Sequence, residues 1–256
     1  MQKPTLIKTD FNCIVNSDII QGMRYEKVCK GKFVERPNRF IAKVIIDGHE
    51  ETVHVKNTGR CRELLVPGAV VYMEDFDGRM GKRKMRYSLI AVEKGSLLIN
   101  MDSQAPNRVV EEALEDGRIK LPGMDELAVI KRECTFEDSR FDFYVEDVKG
   151  RKGWIEVKGV TLEEDGIVRF PDAPTERGKK HILGLEKAAE MGYTCQVAFV
   201  IQMKGAKSFE PNYLTDPAFG KALQEASRNG VSVLAYDCKV TPDTLEIDGT
   251  VKVEGI

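Results

Sequence analysis

The chain has 256 residues, of which 42% are hydrophobic and 31% are charged, and its formal net charge is −2. This length allows one large domain or two medium ones, and the composition predicts a folded core under a charged, soluble surface. No apolar run approaches the roughly 18 residues that a membrane-spanning helix needs, so a membrane is not an expected partner. The first ten residues, MQKPTLIKTD, carry charges where a signal peptide has an apolar stretch. This pattern predicts a cytoplasmic location.

The six cysteines are scattered and form no CxxC pair, which argues against a zinc site and against a disulfide framework. Two nucleotide-binding motifs, GxxxxGK[ST] and GxGxxG, are absent from the sequence. Residues 1–100 contain 18 Lys+Arg against 12 Asp+Glu, whereas residues 101–256 contain 21 against 29. A basic part beside an acidic part suits a polyanion-binding module next to a module that gathers metal-binding carboxylates. Ordinary surface variation would give the same asymmetry.

Residues from about 25 to 100 are predicted to form a small β-barrel, with an OB fold as the leading candidate. Runs rich in β-branched and aromatic residues alternate there with Asp-Gly and Pro-Gly turn signals. One helical turn is expected at 61–65. The predicted strands are 39–46, 51–55, 69–74 and 85–92.

The pattern changes after a linker at 100–106, which is rich in Asp, Ser, Gln and Pro. Helices are predicted at 107–115, 174–192 and 217–228, and strands at 128–135, 140–145, 153–160, 195–201 and 231–236. This order is typical of an α/β (α+β) domain with a mixed sheet flanked by helices. We therefore divide the chain into domains 1–100 and 101–256 and expect two separate hydrophobic cores.

A predicted hairpin in the second domain carries a set of residues suited to metal-dependent chemistry. Alternation along 140–145 places Asp142 on the face opposite Phe141 and Phe143, and along 153–160 it places Glu156 and Lys158 opposite the apolar positions. Two carboxylates supply the hard oxygen ligands that Mg²⁺ or Mn²⁺ prefers, and a lysine beside them can orient water and balance phosphate charge. The alternative is that the acids are strand-edge residues in surface ion pairs.

The (D/E)xK triplet alone has little specificity, because it occurs three times in this chain. Asp147-Val148-Lys149 falls in the predicted hairpin turn, and Asp237-Cys238-Lys239 ends the last predicted strand with no acid just upstream. The triplet at Glu156 has both a strand context and an acid, Asp142, on a neighbouring strand. We therefore assign the predicted site to the middle triplet.

An Asp followed by (D/E)xK on adjoining strands resembles the PD-(D/E)XK nuclease superfamily. The strings HVKNTGRCRELLVPG (54–68), SRFDFYV (139–145), WIEVKGVTL (154–162) and FPDAPTERGKKH (170–181) resemble the sugar fermentation stimulation protein A family over nearly the whole chain. The resemblance implies an OB-like DNA-binding domain followed by a PD-(D/E)XK endonuclease-like domain. It also implies Asp142 and Glu156 as metal ligands and Lys158 as the catalytic lysine.

The helices around the predicted hairpin add further candidates. Glu111 or Glu112 on the preceding helix can complete the acidic cluster, and we choose Glu112 as the catalytic candidate, with a solvated helix face as the alternative. At the start of the helix at 174–192, Arg177, Lys180 and His181 share one face and are predicted to hold phosphates. The alternative for His181 is a hydrogen-bonded residue between helix and sheet.

Basic and polar residues in the first domain predict contacts to a nucleic-acid backbone. Lys56, Asn57, Thr58, Arg60 and Arg62 surround a glycine in a loop after a strand. A second basic cluster lies at 79–86, and both groups can also be solubilising loop charges.

Two classes of function remain open: a Mg²⁺- or Mn²⁺-dependent nuclease that cleaves phosphodiester bonds, and a non-cleaving DNA-binding transcriptional regulator of sugar (maltose-type) metabolism, which the family name implies. The full Asp142, Glu156 and Lys158 set favours the nuclease, since a pure DNA-binding protein has no chemical need for it. DNA is the expected partner, with RNA as an alternative because OB folds bind either. The oligomeric state stays open, with a dimer as one option.

Overall fold

A computed structural model of the protein describes residues 22–57 and 59–256. It confirms the predicted fold class, with a closed barrel followed by a mixed sheet flanked by helices. The first six strands are β1 (Val28–Asn38), β2 (Ile41–Ile46), β3 (His49–Val55), β4 (Val70–Asp75), β5 (Tyr87–Lys94) and β6 (Leu97–Asn100). The first five form the barrel, which closes where β3 pairs with β5, and β6 extends it beside β5.

The sequence pattern did not predict β1 and β6. β1 has the sequence VCKGKFVERPN, in which charged residues, glycine and proline mask the alternation of a strand. Gly31 is nevertheless required in it, because a Cβ at this position would lie 2.6 Å from the carbonyl oxygen of Ile45 on β2. The strand is therefore recognisable only from its neighbours in the barrel.

The remaining elements form the second half of the described chain. They are α1 (Ala105–Glu115), β7 (Leu127–Phe136), β8 (Ser139–Asp147), β9 (Lys152–Val160), β10 (Leu162–Glu164), β11 (Ile167–Phe170), α2 (Glu176–Glu190), β12 (Thr194–Ile201), β13 (Ser208–Pro211), α3 (Pro217–Arg228), β14 (Val231–Val240), β15 (Leu245–Thr250) and β16 (Lys252–Val253). A six-stranded sheet has the order β15-β14-β12-β9-β8-β7, in which β9, β12 and β14 run parallel. A smaller sheet has the order β10-β11-β13-β16.

Helices cover both faces of the six-stranded sheet. α1 packs through Val109 and Ala113 into a cluster that contains Phe143 and Ile155, whereas α2 and α3 belong to a second cluster with Phe199. Helix α2 begins at the side chain of Thr175, which accepts a hydrogen bond from the backbone N–H of Gly178. Within the described ranges, no helix is both long and apolar enough to cross a membrane.

The expectation of two separate hydrophobic cores is wrong. One continuous cluster of buried residues contains Val44 and Leu89 of the barrel together with Phe199 and Phe209 of the second half. Polar contacts also cross the boundary, and Lys94 of β5 lies 2.7 Å from the carboxylate of Glu163 on β10. The barrel and the six-stranded sheet remain separate sheets, but their shared apolar interface makes them one packed body.

Candidate metal centre

The site begins where strands β8 and β9 part. Their antiparallel ladder runs from Glu146–Lys152 to Phe143–Ile155 and ends there. The next residue on each strand is Asp142 and Glu156. In place of a ladder bond, the Asp142 carboxylate accepts a hydrogen bond from the backbone N–H of Val157 at 2.7 Å. The two predicted acids therefore come together at the opening of the hairpin.

Regular alternation breaks at Asp142, which corrects one expectation. Phe141 and Phe143 were predicted on one face of β8, but they lie in different core clusters. Phe141 packs edge-on against the His181 ring of α2, with ring centroids 6.2 Å apart, whereas Phe143 packs in the cluster of α1. The side chains of β8 thus change their facing at the residue that carries the carboxylate, although the residues on either side of Asp142 stay paired with β7.

Both oxygens of Asp142 are held by donors. Oδ1 accepts from the side-chain amide of Asn107 at 2.7 Å, and Oδ2 accepts from the backbone of Val157. Burial raises the pKa of Asp142, and the negative charge of Glu156 raises it further, although these two hydrogen bonds oppose the shift. The raised pKa of Asp142 thus reflects its burial and the repulsion between the two carboxylates.

Glu156 is 3% exposed and has a different environment. Its Oε1 lies 2.5 Å from the ammonium of Lys158 and within hydrogen-bond distance of Nδ1 of His181. Burial would raise the pKa of Glu156, but the hydrogen bond from His181 and the charge of Lys158 outweigh it and lower that pKa. The other oxygen, Oε2, is buried and has no hydrogen-bond partner among the described residues.

A buried carboxylate oxygen without a partner is costly unless something else satisfies it. The atoms that could coordinate a metal here are the carboxylate oxygens of Asp142 and Glu156, and oxygen ligands suit a hard divalent cation. The described residues contain no group of three or more His, Cys, Asp or Glu side chains placed to hold a metal. Two carboxylates fit Mg²⁺ nonetheless, because this ion is commonly held by one or two of them, with water and substrate phosphate completing its shell.

The choice of Glu112 as a catalytic residue is not supported by its contacts. Its carboxylate accepts from the backbone N–H of Met23 at 2.8 Å and from Arg108 at 3.2 Å, so it anchors the segment that precedes the barrel. Glu111 pairs with Arg132 of β7 at 3.0 Å. Helix α1 instead reaches Asp142 through Asn107, which sequence reasoning missed. Its position in the first turn of the helix before the hairpin was the available signal.

The three candidates on α2 separate into different roles. His181 was predicted to bind nucleic acid, but it is buried against Glu156, so the alternative of a hydrogen-bonded residue between helix and sheet describes it better. Lys180 pairs with Asp138 at 3.1 Å. Arg177 is exposed and makes no ion pair with the described residues, so it is the candidate best placed to contact phosphate.

The loop after β3 also differs from the prediction. Lys56 is not available to phosphate, because its ammonium lies 2.6 Å from the carboxylate of Asp102 and only 13% of its side chain is exposed. Asn57 closes a turn by accepting from the backbone N–H of Gly59. Thr58 lies outside the described residues. Arg60 and Arg62 are exposed and, within the described ranges, their guanidinium groups make no ion pair with a carboxylate.

Arg36, which the sequence patterns did not identify, holds this loop in place. Its guanidinium donates to the carbonyl oxygens of Arg39, Asn57, Gly59 and Arg60 at 2.6–2.9 Å. Arginine side chains at 36, 39, 60 and 62 line a groove of about 290 Å³. Arg36 thus holds the described residues of this loop together, and the groove beside it is lined by arginines.

The loop also contacts the second half of the chain. The backbone N–H of Arg60 donates to Asp172 at 2.9 Å. Asn57 and Gly59 share a cavity of about 170 Å³ with Gly159 and Val160, which directly follow Lys158 on β9. The loop thus lies against the end of the strand that carries Glu156 and Lys158.

The other basic and acidic candidates serve the fold. In the basic cluster at 79–86, Arg86 binds Asp75 through two nitrogens, at 2.7 and 2.9 Å. Arg83 donates to the hydroxyl of Ser88, and its guanidinium lies over the ring of Phe76. Of the two remaining triplet acids, Asp147 accepts hydrogen bonds from two backbone N–H groups of the β8–β9 turn and from that of Asp125 before β7. Such contacts leave these groups little capacity to bind a ligand.

Comparison with known proteins agrees with this architecture. A family model described as "SfsA N-terminal OB domain" matches residues 34–101, and one described as "Sugar fermentation stimulation protein RE domain" matches residues 104–244. The sugar fermentation stimulation protein homolog of Alkaliphilus oremlandii is 54% identical over 236 residues, which cover 91% of this chain and 99% of that protein. The homolog of Desulfitobacterium hafniense (strain DSM 10664 / DCB-2) is 53% identical over 232 residues, covering 91% and 98%. The solved structure of Pyrococcus furiosus SfsA in complex with Ca²⁺ has a TM-score of 0.80 and 29% identity, and the match covers 91% of this chain and 98% of that one.

Proposed function

We propose that this chain, which belongs to the sugar fermentation stimulation protein family, binds nucleic acid and cleaves its phosphodiester bonds with the help of Mg²⁺ or Mn²⁺. The observation that carries the proposal is the meeting of Asp142, Glu156 and Lys158 at the opening of the β8–β9 hairpin, where one buried Glu156 oxygen has no hydrogen-bond partner in the described part of the chain. A protein that only binds DNA gains nothing from this costly arrangement. The Pyrococcus furiosus relative was solved in complex with Ca²⁺, which supports the binding of a divalent ion by this chain.

Asp142 and Glu156 would hold the ion, which when bound supplies positive charge that polarises a phosphoryl oxygen and activates water. The hydrogen bonds to Asp142 from Asn107 and Val157 fix the plane of its carboxylate. Lys158 adds a positive charge beside Glu156 and would orient the attacking water or balance the charge that develops on the phosphate. His181 contacts the same oxygen, Oε1, and helps to fix the Glu156 carboxylate.

Arg60 and Arg62 in the groove and Arg177 at the start of α2 would hold the nucleic-acid backbone. Arginine suits this role because its planar guanidinium donates two parallel hydrogen bonds to phosphate. In this arrangement residues 1–100 act as the binding unit and residues 101–256 as the cleaving unit. DNA is the proposed substrate, and RNA is the alternative to be tested beside it.

The test combines metal binding with cleavage. Wild-type protein should be stabilised by about 2.7 kcal/mol when the divalent ion is present at a hundred times its dissociation constant. Asp142→Asn and Glu156→Gln should lose both this stabilisation and cleavage while retaining nucleic-acid binding. Lys158→Ala should keep the stabilisation and lose cleavage, because lysine is not a ligand. Glu225→Gln, an exposed position on α3, is the matched control.

Single-stranded, duplex and branched DNA and RNA should each be incubated with Mg²⁺, Mn²⁺ or EDTA. Cleavage that requires the metal and disappears in the Asp142 and Glu156 variants is the expected result. Metal binding that survives in the double variant would refute the site. Nucleic-acid binding without cleavage under any of these conditions would replace the proposal with the non-cleaving regulator.

A further inference from the structure

Asp142 lies where β8 has lost its pairing with β9, although its neighbours on β8 stay paired with β7 along the other edge. The β8–β9 ladder ends one residue away, at Phe143. Only one of the two donors that hold the carboxylate, the N–H of Val157, comes from the sheet. The other is the amide of Asn107, 2.7 Å from Oδ1, and it comes from helix α1. A carboxylate with one donor can turn about its Cβ–Cγ bond, whereas two donors on different oxygens fix its plane.

Helix α1 is itself held on both sides of Asn107. The side chain of Asp102 accepts from the backbone N–H of Gln104 at 3.0 Å, just before the helix begins. Pro106 packs closely against Gly159 of β9, since a Cβ atom at position 159 would lie 2.8 Å from the proline ring. One turn later, Glu111 pairs with Arg132 of β7 at 3.0 Å. The amide is therefore presented from a rigid element.

The chemistry of the amide suits this place. A carboxylate at position 107 would add a third negative charge beside two that already repel each other, whereas an amide donates a hydrogen bond and adds no charge. A carboxylate oxygen can accept more than one contact, so Oδ1 of Asp142 can bind an ion while it accepts from Asn107. We propose that Asn107 is a positioning residue that sets the metal affinity of the site by orienting Asp142. This inference rests on the proposed function.

The experiment measures Ca²⁺ binding by calorimetry, without nucleic acid, and follows thermal unfolding with and without the ion. Asn107→Ala should weaken Ca²⁺ binding roughly 10- to 100-fold, the loss typical when a residue that orients a metal ligand is removed. Asn107→Asp should unfold at a lower temperature than Asn107→Ala without the ion, yet bind Ca²⁺ more tightly than Asn107→Ala. Unfolding temperature and Ca²⁺ affinity would thus rank the two variants in opposite orders. We expect this only if the side chain at position 107 lies beside the ion, since a purely structural role would lower stability and affinity together in each variant.

Asn229→Ala is a matched control, because Asn229 donates to the carboxylate of Glu186 at 2.5 Å on an exposed helix end. It should bind Ca²⁺ like the wild type. Unchanged affinity in Asn107→Ala, or an equal loss in Asn229→Ala, overturns the positioning role. Wild-type protein that binds Ca²⁺ but does not cleave with Mg²⁺ or Mn²⁺ overturns only the proposed nuclease, whereas wild-type protein that binds none of the three ions overturns both.

Discussion

Lys56 provides a direct test of whether a basic loop residue binds phosphate or supports the fold. Its ammonium lies 2.6 Å from Asp102, whose side chain is 3% exposed. The same carboxylate contacts the hydroxyl of Tyr25 at 3.3 Å, and the amide of Asn100 donates to that hydroxyl at 3.0 Å. The side chain of Gln202 donates to Asn100. The pair is thus part of a buried polar network between the barrel and the second half.

The expected cost of Lys56→Ala follows from this burial. Removing one member of a buried ion pair costs about 3–5 kcal/mol, because the remaining charge stays buried without its partner. Asp102 retains the contact with Tyr25 and the backbone N–H of Gln104, so the lower end, about 3 kcal/mol, applies. For a chain of this size, a loss of that magnitude lowers the unfolding temperature by about 6–12 °C.

The assay is thermal and urea unfolding of Lys56→Ala, together with nucleic-acid binding at several salt concentrations below the unfolding range. A lysine that contacts phosphate contributes about 0.9 to the slope of log K against log salt, so we expect that slope to stay unchanged in this variant. Lys56→Met is the second variant, because it keeps the aliphatic stem. A wild-type unfolding temperature combined with a reduced salt slope would refute the structural role and return Lys56 to the phosphate-binding surface.

Two further predictions concern other parts of the barrel. Replacing Arg60 and Arg62 together by Ala should weaken nucleic-acid binding and reduce the slope of log K against log salt by about 1.8, with little change in unfolding temperature. The control variant, Arg228→Ala on α3, should leave binding unchanged. An unaltered slope in the double variant would place the binding surface elsewhere. The hydrogen bonds from Arg86 hold the pKa of Asp75 well below its usual range. Asp75 therefore stabilises the fold at pH values above the ordinary carboxyl pKa, and this contribution is lost as pH falls through the lower pKa of the folded state. Asp75→Asn should therefore be less stable than the wild type at pH 7, with a gap that narrows below about pH 4 in urea unfolding, and a gap that is constant with pH would contradict this role.

The sequence by itself determined the fold class and the hairpin that carries the candidate centre. Runs of β-branched residues, turn dipeptides and helix-start signals act over a few neighbours, so the three helices and the strands β7, β8, β9, β12 and β14 were predicted to within a few residues. The strands β10, β11, β13, β15 and β16 were not predicted. The same local rules placed Asp142 and Glu156 on adjoining strands. They failed for β1, where Gly31 and charged residues fit only because β2 lies against them.

Tertiary structure decided what each candidate side chain contacts. Lys56, Glu112 and His181 were equally plausible ligand-binding residues in the sequence, yet each is buried against a partner between 25 and 89 positions away. Asn107 carried no distinguishing motif and reaches Asp142 across 35 positions. Local patterns specify which face a residue occupies within its own element, but the choice between a buried ion pair and an exposed ligand contact depends on which distant element packs there. That packing is fixed by the shared apolar interface of barrel and sheet, which no short window of the sequence contains.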